Sequence, residues 1–320
     1  MFISLRKLIT YALLLFSFNA FAEQLPQVRV AVLQSGTVNW ELQHLKNQRY
    51  DRQFGFDLQI NKVASLSAAR LALTSDSADI IVSDWLWAAK RNADGGRLRF
   101  IPFSSQIGSV IVKPGQTIKN LAQLKGKNIG VAGGPLNKGW VLLQTAAKDA
   151  GVDLQKEAKV QFGAPPLLSQ ALKRGQVDVL VTFWHYGARL EAEGYQRWLS
   201  LEELMSGLGM KSKVPMLGYI LKADFAKQNS VAVDGFTKAI QQAKNDLAEN
   251  DTYWNGLRHL MKAENDEIYQ ALIKGYRNGT PKPVDTDQIS DAVKFFELID
   301  QLSSYPSGNK LNPTLFRVVE

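Results

Sequence analysis

The stretch Ala72-Leu73-Thr74-Ser75-Asp76-Ser77-Ala78-Asp79-Ile80-Ile81-Val82-Ser83-Asp84-Trp85 decides the fold, because its pattern returns 99 residues later as Ala171-Leu172-Lys173-Arg174-Gly175-Gln176-Val177-Asp178-Val179-Leu180-Val181-Thr182-Phe183-Trp184. With one laid over the other, Asp79 falls on Asp178, Val82 on Val181 and Trp85 on Trp184; further on, Gly95 falls on Gly194. The same offset carries Val30 onto Ile129 and Val32 onto Val131. One matching run of Ala, Leu and Val would mean little. Two separate runs without a net gap, one with a Trp pair, mark an internal repeat. The chain reads as two similar lobes facing each other.

Each copy alternates short β-branched runs with amphipathic segments, the pattern of a wound α/β architecture. The first copy predicts strands over 28–33, 56–63 and 78–83, with helices over 40–50, 67–74 and 85–93. The second predicts strands over 127–131, 158–162 and 177–183, with helices over 139–150 and 167–173. Residues 101–113 form one long β-rich stretch leading into the second lobe, and 215–223 form another leading back. The expected organisation is 26–108 and 216–320 as lobe one and 109–215 as lobe two, joined by two crossover strands. Helices are expected over 231–249, 253–262, 266–276 and 286–302. Asp285 or Thr286 can cap the last, which puts Ile289, Val293, Phe296 and Ile299 on one face.

Arg6 and Lys7, an apolar run over 8–18 and then Ala20-Phe21-Ala22 give residues 1–22 the form of a cleaved export signal. The run is too short for a membrane span, which needs roughly 20 residues. Residue 23 is Glu, so no cysteine is there to be lipidated, and a free periplasmic protein is expected. The chain has no cysteine at all, which excludes disulfide staples, thiol chemistry and thiolate metal sites. Its net charge of +8 is scattered singly rather than in a stripe, which argues against nucleic-acid binding. The protein is expected to act as a monomer.

In open α/β sheets, ligands sit beyond the carboxyl ends of the strands. Trp85 and Trp184 both follow the third strand of their lobe, so two facing lobes could present both indoles to one ligand; that each plugs its own core is the alternative, and the polar neighbours Asp84 and His185 favour the cleft. Trp40 and Trp140 also lie near strand-to-helix turns. This use of four of the seven tryptophans points to a flat aromatic or heterocyclic organic ligand rather than a small inorganic anion. Asp84 either caps the following helix or offers a carboxylate to a ligand amine or amidine, with His185 a polar neighbour in the other copy. Gly133, Gly134, Asn137 and Lys138 make a turn into a helix whose backbone N–H groups and lysine suit an anion. A plain tight turn accounts for those residues equally well.

Leu124-Lys125-Gly126-Lys127-Asn128-Ile129-Gly130-Val131 and Ala171-Leu172-Lys173-Arg174-Gly175-Gln176-Val177-Asp178 resemble segments of periplasmic solute-binding proteins. The chain after residue 22 is similar to the NMT1/THI5-like group, which includes sulfonate, nitrate and thiamine-precursor binders. The resemblance implies a two-lobed, type II Venus-flytrap fold, and delivery of a small ligand to the permease and ATPase of an ATP-binding-cassette importer. Sulfonate binders of the group tend to carry small hydroxyl residues after this glycine-rich turn, and residues 132–139 hold no Ser or Thr, which points away from sulfonate or nitrate. The resemblance also reaches a pyridoxal-phosphate-using synthase branch, whose cysteine-rich motif is missing here. His44, His185 and His259 are the only histidines, without an HExxH motif or a G-x-S-x-G elbow. A binding protein without catalysis or cofactor is expected, with a receptor-docking sensor as the alternative.

Overall fold

The computed structural model describes residues 25–317 apart from 136, 212–213, 283 and 302–307, so the export-signal reading of residues 1–22 lies outside the described residues. Ten strands form two five-stranded sheets. The first sheet holds β1 (Gln27–Leu33), β2 (Asp57–Val63), β3 (Ile80–Asp84), β4 (Leu98–Ser104) and β10 (Leu217–Lys222), in the order β2-β1-β3-β10-β4. The second holds β5 (Gly108–Val112), β6 (Asn128–Ala132), β7 (Lys159–Gly163), β8 (Val179–Phe183) and β9 (Gln196–Ser200), in the order β7-β6-β8-β5-β9. In each sheet the first three strands are parallel and the fourth runs against its neighbours.

Helices of seven residues or more are α1 (Val38–Asn47), α2 (Leu66–Thr74), α3 (Trp85–Ala93), α4 (Lys138–Asp149), α5 (Pro165–Lys173), α6 (Trp184–Ala192), α7 (Leu201–Gly207), α8 (Ser230–Glu249), α9 (Asp266–Gly279) and α10 (Thr286–Gln301). Many begin at a residue whose side chain accepts an otherwise unpaired backbone N–H. Ser65 caps α2, Asp84 caps α3, Asn137 caps α4, and Ser200 with Glu203 forms a capping box on α7. Asp285 accepts from Gln288 N at the head of α10.

The repeat is visible in the backbone register. Val30 pairs with Ile80 and Ile129 with Val179, a shift of 99 at both partners. Arg29 N donates to Asp79 Oδ2 and Asn128 N to Asp178 Oδ2 with the same shift, so the Asp pair fastens each sheet at equivalent places. At the other end Trp85 N donates to Met216 O, and Trp184 N to Ile107 O. The antiparallel β5 thus stands in the second sheet where β10 stands in the first.

The β-rich stretch over 101–113 is not one crossing strand. It is β4 in one sheet and β5 in the other, broken at Ser105-Gln106-Ile107. The break has a local cause, for Ser104 Oγ accepts from Gln106 N and turns the chain there. Residues 217–222 likewise lie wholly in the first sheet, and the chain has crossed before them. The expected helix over 253–262 is two single turns, Thr252–Asn255 and Arg258–Met261.

The C-terminal helices return to the first sheet. The α8 and α9 helices bury Phe236, Ile240, Leu272 and Ile273 against Val28, Val30 and Trp40. Inside this packing lies a wholly buried carboxylate, Glu41, which accepts from Lys244 Nζ, Tyr276 OH and Tyr219 OH, the last at 2.7 Å. Lys244 also donates to Phe103 O and lies over the Phe103 ring. A buried charge must be paired and hydrogen-bonded to be tolerated. Burial pulls the Lys244 ammonium below its ordinary range against the opposing pull of Glu41, and it pushes both phenols well above theirs.

Candidate cleft site

Strand-to-helix turns of the two sheets touch in pairs: Asp84 at the end of β3 meets Lys138 after β6, and Trp40 after β1 meets Trp184 after β8. After β1, Asn39 donates both amide hydrogens, to Leu33 O at 2.8 Å and Gly36 O at 2.7 Å. Its Oδ1 is buried and has no partner among the described residues. After β6, Asn137 donates in the corresponding way to Ala132 O, but its Oδ1 caps Trp140 N. Gly133 carries a φ of +91°, a left-handed conformation that suits glycine, and its N–H bonds to Gly163 O. A Cβ on Gly134 would face open space.

After β3, Asp84 is buried and fully engaged. Its Oδ1 accepts from Trp87 N at 2.9 Å and lies 3.3 Å from Lys138 Nζ; its Oδ2 accepts from an Arg70 guanidinium nitrogen at 3.0 Å. Arg70 also donates to Ser83 Oγ and stacks over the Trp87 ring, 4.9 Å from its centroid. Burial alone would raise the Asp84 carboxyl, but Lys138 and Arg70 outweigh it and hold the group below the usual carboxylate range. Two cations on one carboxylate leave a net positive charge, and α3 and α4 both begin there with their N-termini. Asp84 therefore acts as cap and counter-charge, with its oxygens already taken.

Near the end of β8, Thr182 Oγ1 is buried without a partner among the described residues, and just after it so is His185 Nε2. The His185 ring keeps some surface, but Nε2 itself is shut off from solvent; burial, followed by the nearby Arg189 charge, lowers its pKa to about 3. The imidazole is neutral at pH 7. Its ring lies parallel to Phe183, at 8° and 6.2 Å between centroids, and Phe183 Cζ approaches the Gly133 turn.

Of the expected site residues, the structure brings Asp84 and Lys138 together, and Trp40 with Trp184. It does not bring Trp85 to Trp184. Trp184 crosses to the first half, edge-on to Trp40 at 6.0 Å, where a Cβ on Gly275 of α9 would stand 2.5 Å from Trp184 Cζ3. Trp85 is wholly buried against Phe295 and Phe316, and its Nε1 is unpartnered among the described residues. Trp140 packs edge-on against Phe162, beside a hollow of about 240 Å³ that the two share with Pro135, Gln155 and Val160. All four tryptophans are thus held by protein neighbours, with at most 7% of their surface exposed.

Sequence reading missed Arg70, Asn39 and Thr182. Thr182 stands 99 residues after Ser83, so the repeat itself carried that signal. Arg70 is 14 residues before Asp84 on another element, and no local spacing links them.

The two-lobed fold agrees with what known proteins show. A family profile described as NMT1/THI5 like matches residues 46–252. The chain belongs to the NMT1/THI5-like family. No curated protein matches it. Among solved structures, this NMT1/THI5-like chain is similar to a protein of Bordetella bronchiseptica RB50, with 21% identity over 90% of this chain and 93% of that one and a TM-score of 0.71. It is also similar to the periplasmic aliphatic sulphonate binding protein SsuA of Escherichia coli, with 15% identity, 91% and 99% coverage and a TM-score of 0.70. The periplasmic nitrate-binding protein NrtA of Synechocystis PCC 6803 follows at 12% identity, 89% and 83% coverage and a TM-score of 0.62. At these identities the likeness is one of fold, the two-lobed architecture of periplasmic binding proteins. Among the described residues no helix is long and apolar enough to cross a membrane.

Proposed function

We propose that this NMT1/THI5-like protein is the extracytoplasmic substrate-binding component of an ATP-binding-cassette importer. It would hold a small organic ligand between the carboxyl ends of the two sheets and pass it to the permease and its ATPase. The observation that carries the reading is the set of buried, unpartnered polar atoms at those ends: Asn39 Oδ1, Thr182 Oγ1 and His185 Nε2. Such atoms cost about 1–3 kcal/mol each unless something bonds them. They lie on both halves, so one ligand could satisfy them only by bridging the cleft. The family membership and the fold likeness to sulphonate- and nitrate-binding proteins point the same way.

For the ligand itself we favour a flat aromatic or heterocyclic molecule bearing an acid group. Support for the flat part comes from the parallel rings of Phe183 and His185 rather than from the four buried tryptophans. Support for the acid group comes from the net positive charge of Arg70, Lys138 and Asp84. A thermal-shift screen of aromatic acids, aminopyrimidines, sulfonates and quaternary amines tests this. A ligand at a hundred times its Kd adds about 2.7 kcal/mol to the folded state. Aromatic acids should raise the melting point, and uptake of the best hit should fall in cells lacking the chain. If no compound shifts the melting point, the reading fails.

A further inference from the structure

Asp84, Arg70 and Lys138 form a charged contact between the carboxyl ends of the two sheets, while further along α6 Arg189 also crosses to the first half and donates to Met261 O and Lys262 O. Asp84 is the last residue of β3, Arg70 is on α2 beside it, and Lys138 is the first residue of α4, which follows β6 of the other sheet. The contact is no requirement of the fold. Counting 99 residues on from Asp84 gives Phe183, which starts α6 without any side-chain cap or ion pair. One copy of the repeat therefore manages this turn with a phenyl ring, while the other buries a carboxylate under two cations. Burying charge costs free energy, so the arrangement calls for a use.

We propose that Arg70 and Lys138 are the two arms of an anion clamp, one from each half, and that Asp84 is an internal anion competing with the ligand's acid group for them. The inference rests on the proposed binding function and names the part of the ligand that function would grip. Asp84 latches the halves together through Lys138. An entering carboxylate or sulfonate takes Lys138 from Asp84 and keeps both halves clamped through Arg70. Side-chain exposures of 21% for Arg70 and 24% for Lys138, against 5% for Asp84, leave the cations reachable from the cleft and the carboxylate not. The latch sets affinity, because a protein held in a closed form binds more weakly by the fraction of time it spends open.

The test compares Asp84→Asn, Lys138→Met and the unaltered protein. Asn caps a helix as well as Asp does, so the start of α3 survives and only the charge is lost; Asp84→Ser is the reserve variant should Asn fold poorly. Both substitutions break the latch, and small-angle scattering of the protein without ligand should show both with a larger radius of gyration than the parent. Their affinities should part. Titrated with benzoate and ethanesulfonate, Asp84→Asn should bind about tenfold tighter than the parent and Lys138→Met about tenfold weaker. A cationic probe, benzamidinium, should gain less from Asp84→Asn than either anion, because it profits only from the broken latch and not from the freed cations. Equal radii in all three proteins overturn the latch. Failure of Asp84→Asn to bind either anion more tightly than the parent overturns the clamp. If a neutral or cationic compound binds the parent and contracts it, the binding-protein reading stands and the clamp alone falls.

Discussion

Removing the charge from one side of the Glu41–Lys244 pair should cost far more than removing it from both. Lys244→Met leaves the Glu41 carboxylate with no surface exposure and only the hydroxyls of Tyr219 and Tyr276 to bond it. An uncompensated buried charge costs about 3–5 kcal/mol, and the two phenols place this case near the lower end, at about 3 kcal/mol. Glu41→Gln leaves the ammonium without a counter-charge, with the new amide oxygen, Phe103 O and the Phe103 ring beside it, for about the same loss. Independent effects would sum to about 6 kcal/mol, but the double variant buries no charge, keeps an amide for a tyrosine to bond, and should lose only about 1–2 kcal/mol. Urea unfolding followed by far-UV circular dichroism on all four proteins gives the cycle. A coupling of at least 2 kcal/mol is expected. Losses that add to within about 0.5 kcal/mol would refute the claim that the pair acts as one neutral unit inside the helix packing.

Gly275→Ala drives a methyl group into Trp184 Cζ3, so it should lower the melting point by the equivalent of about 1–3 kcal/mol, while Gly134→Ala, which meets open space, should change little; equal effects in differential scanning calorimetry would contradict the contact. Trp184→Ala, which empties the space beside Trp40, should cost about 3–5 kcal/mol and weaken binding of the best ligand in calorimetry; unchanged affinity would remove Trp184 from the site. His185 is held neutral in the fold, near 3, but protonates freely once unfolded. The unfolded chain therefore takes up the extra proton, and stability falls as pH drops from about 6.5 towards 3. His185→Gln should flatten that part of the stability–pH curve, and an unaltered curve would show that the imidazole is solvated.

Much of the fold was legible because local chemistry announces it. Caps such as Asp84 and Asp285 mark helix starts, and β-branched runs mark buried parallel strands. The repeat supplied the rest, since Asp79 and Asp178 hold equivalent amides of equivalent strands. The break between β4 and β5 was not legible, because it turns on the single hydroxyl of Ser104 inside an otherwise continuous β-rich run. The site was read less well. Position after a strand located Asp84 and Lys138 at the cleft, but the direction of a side chain depends on what it packs against. Trp85 turns to Phe295 and Phe316 on the distant C-terminal segments, and Trp184 to Gly275, contacts that no spacing along the chain encodes. Arg70 escaped notice for the same reason.

The amides of Trp85 and Trp184 are each bonded to a carbonyl on the segment where the chain arrives from the other sheet, Met216 in one case and Ile107 in the other. Any displacement of one half against the other would reach the first residue of α3 or α6 through one backbone hydrogen bond to the connecting segment. That residue is the chain neighbour of Asp84 in one half and of His185 in the other, so one hydrogen bond and one chain step separate the connecting segments from the two candidate site residues.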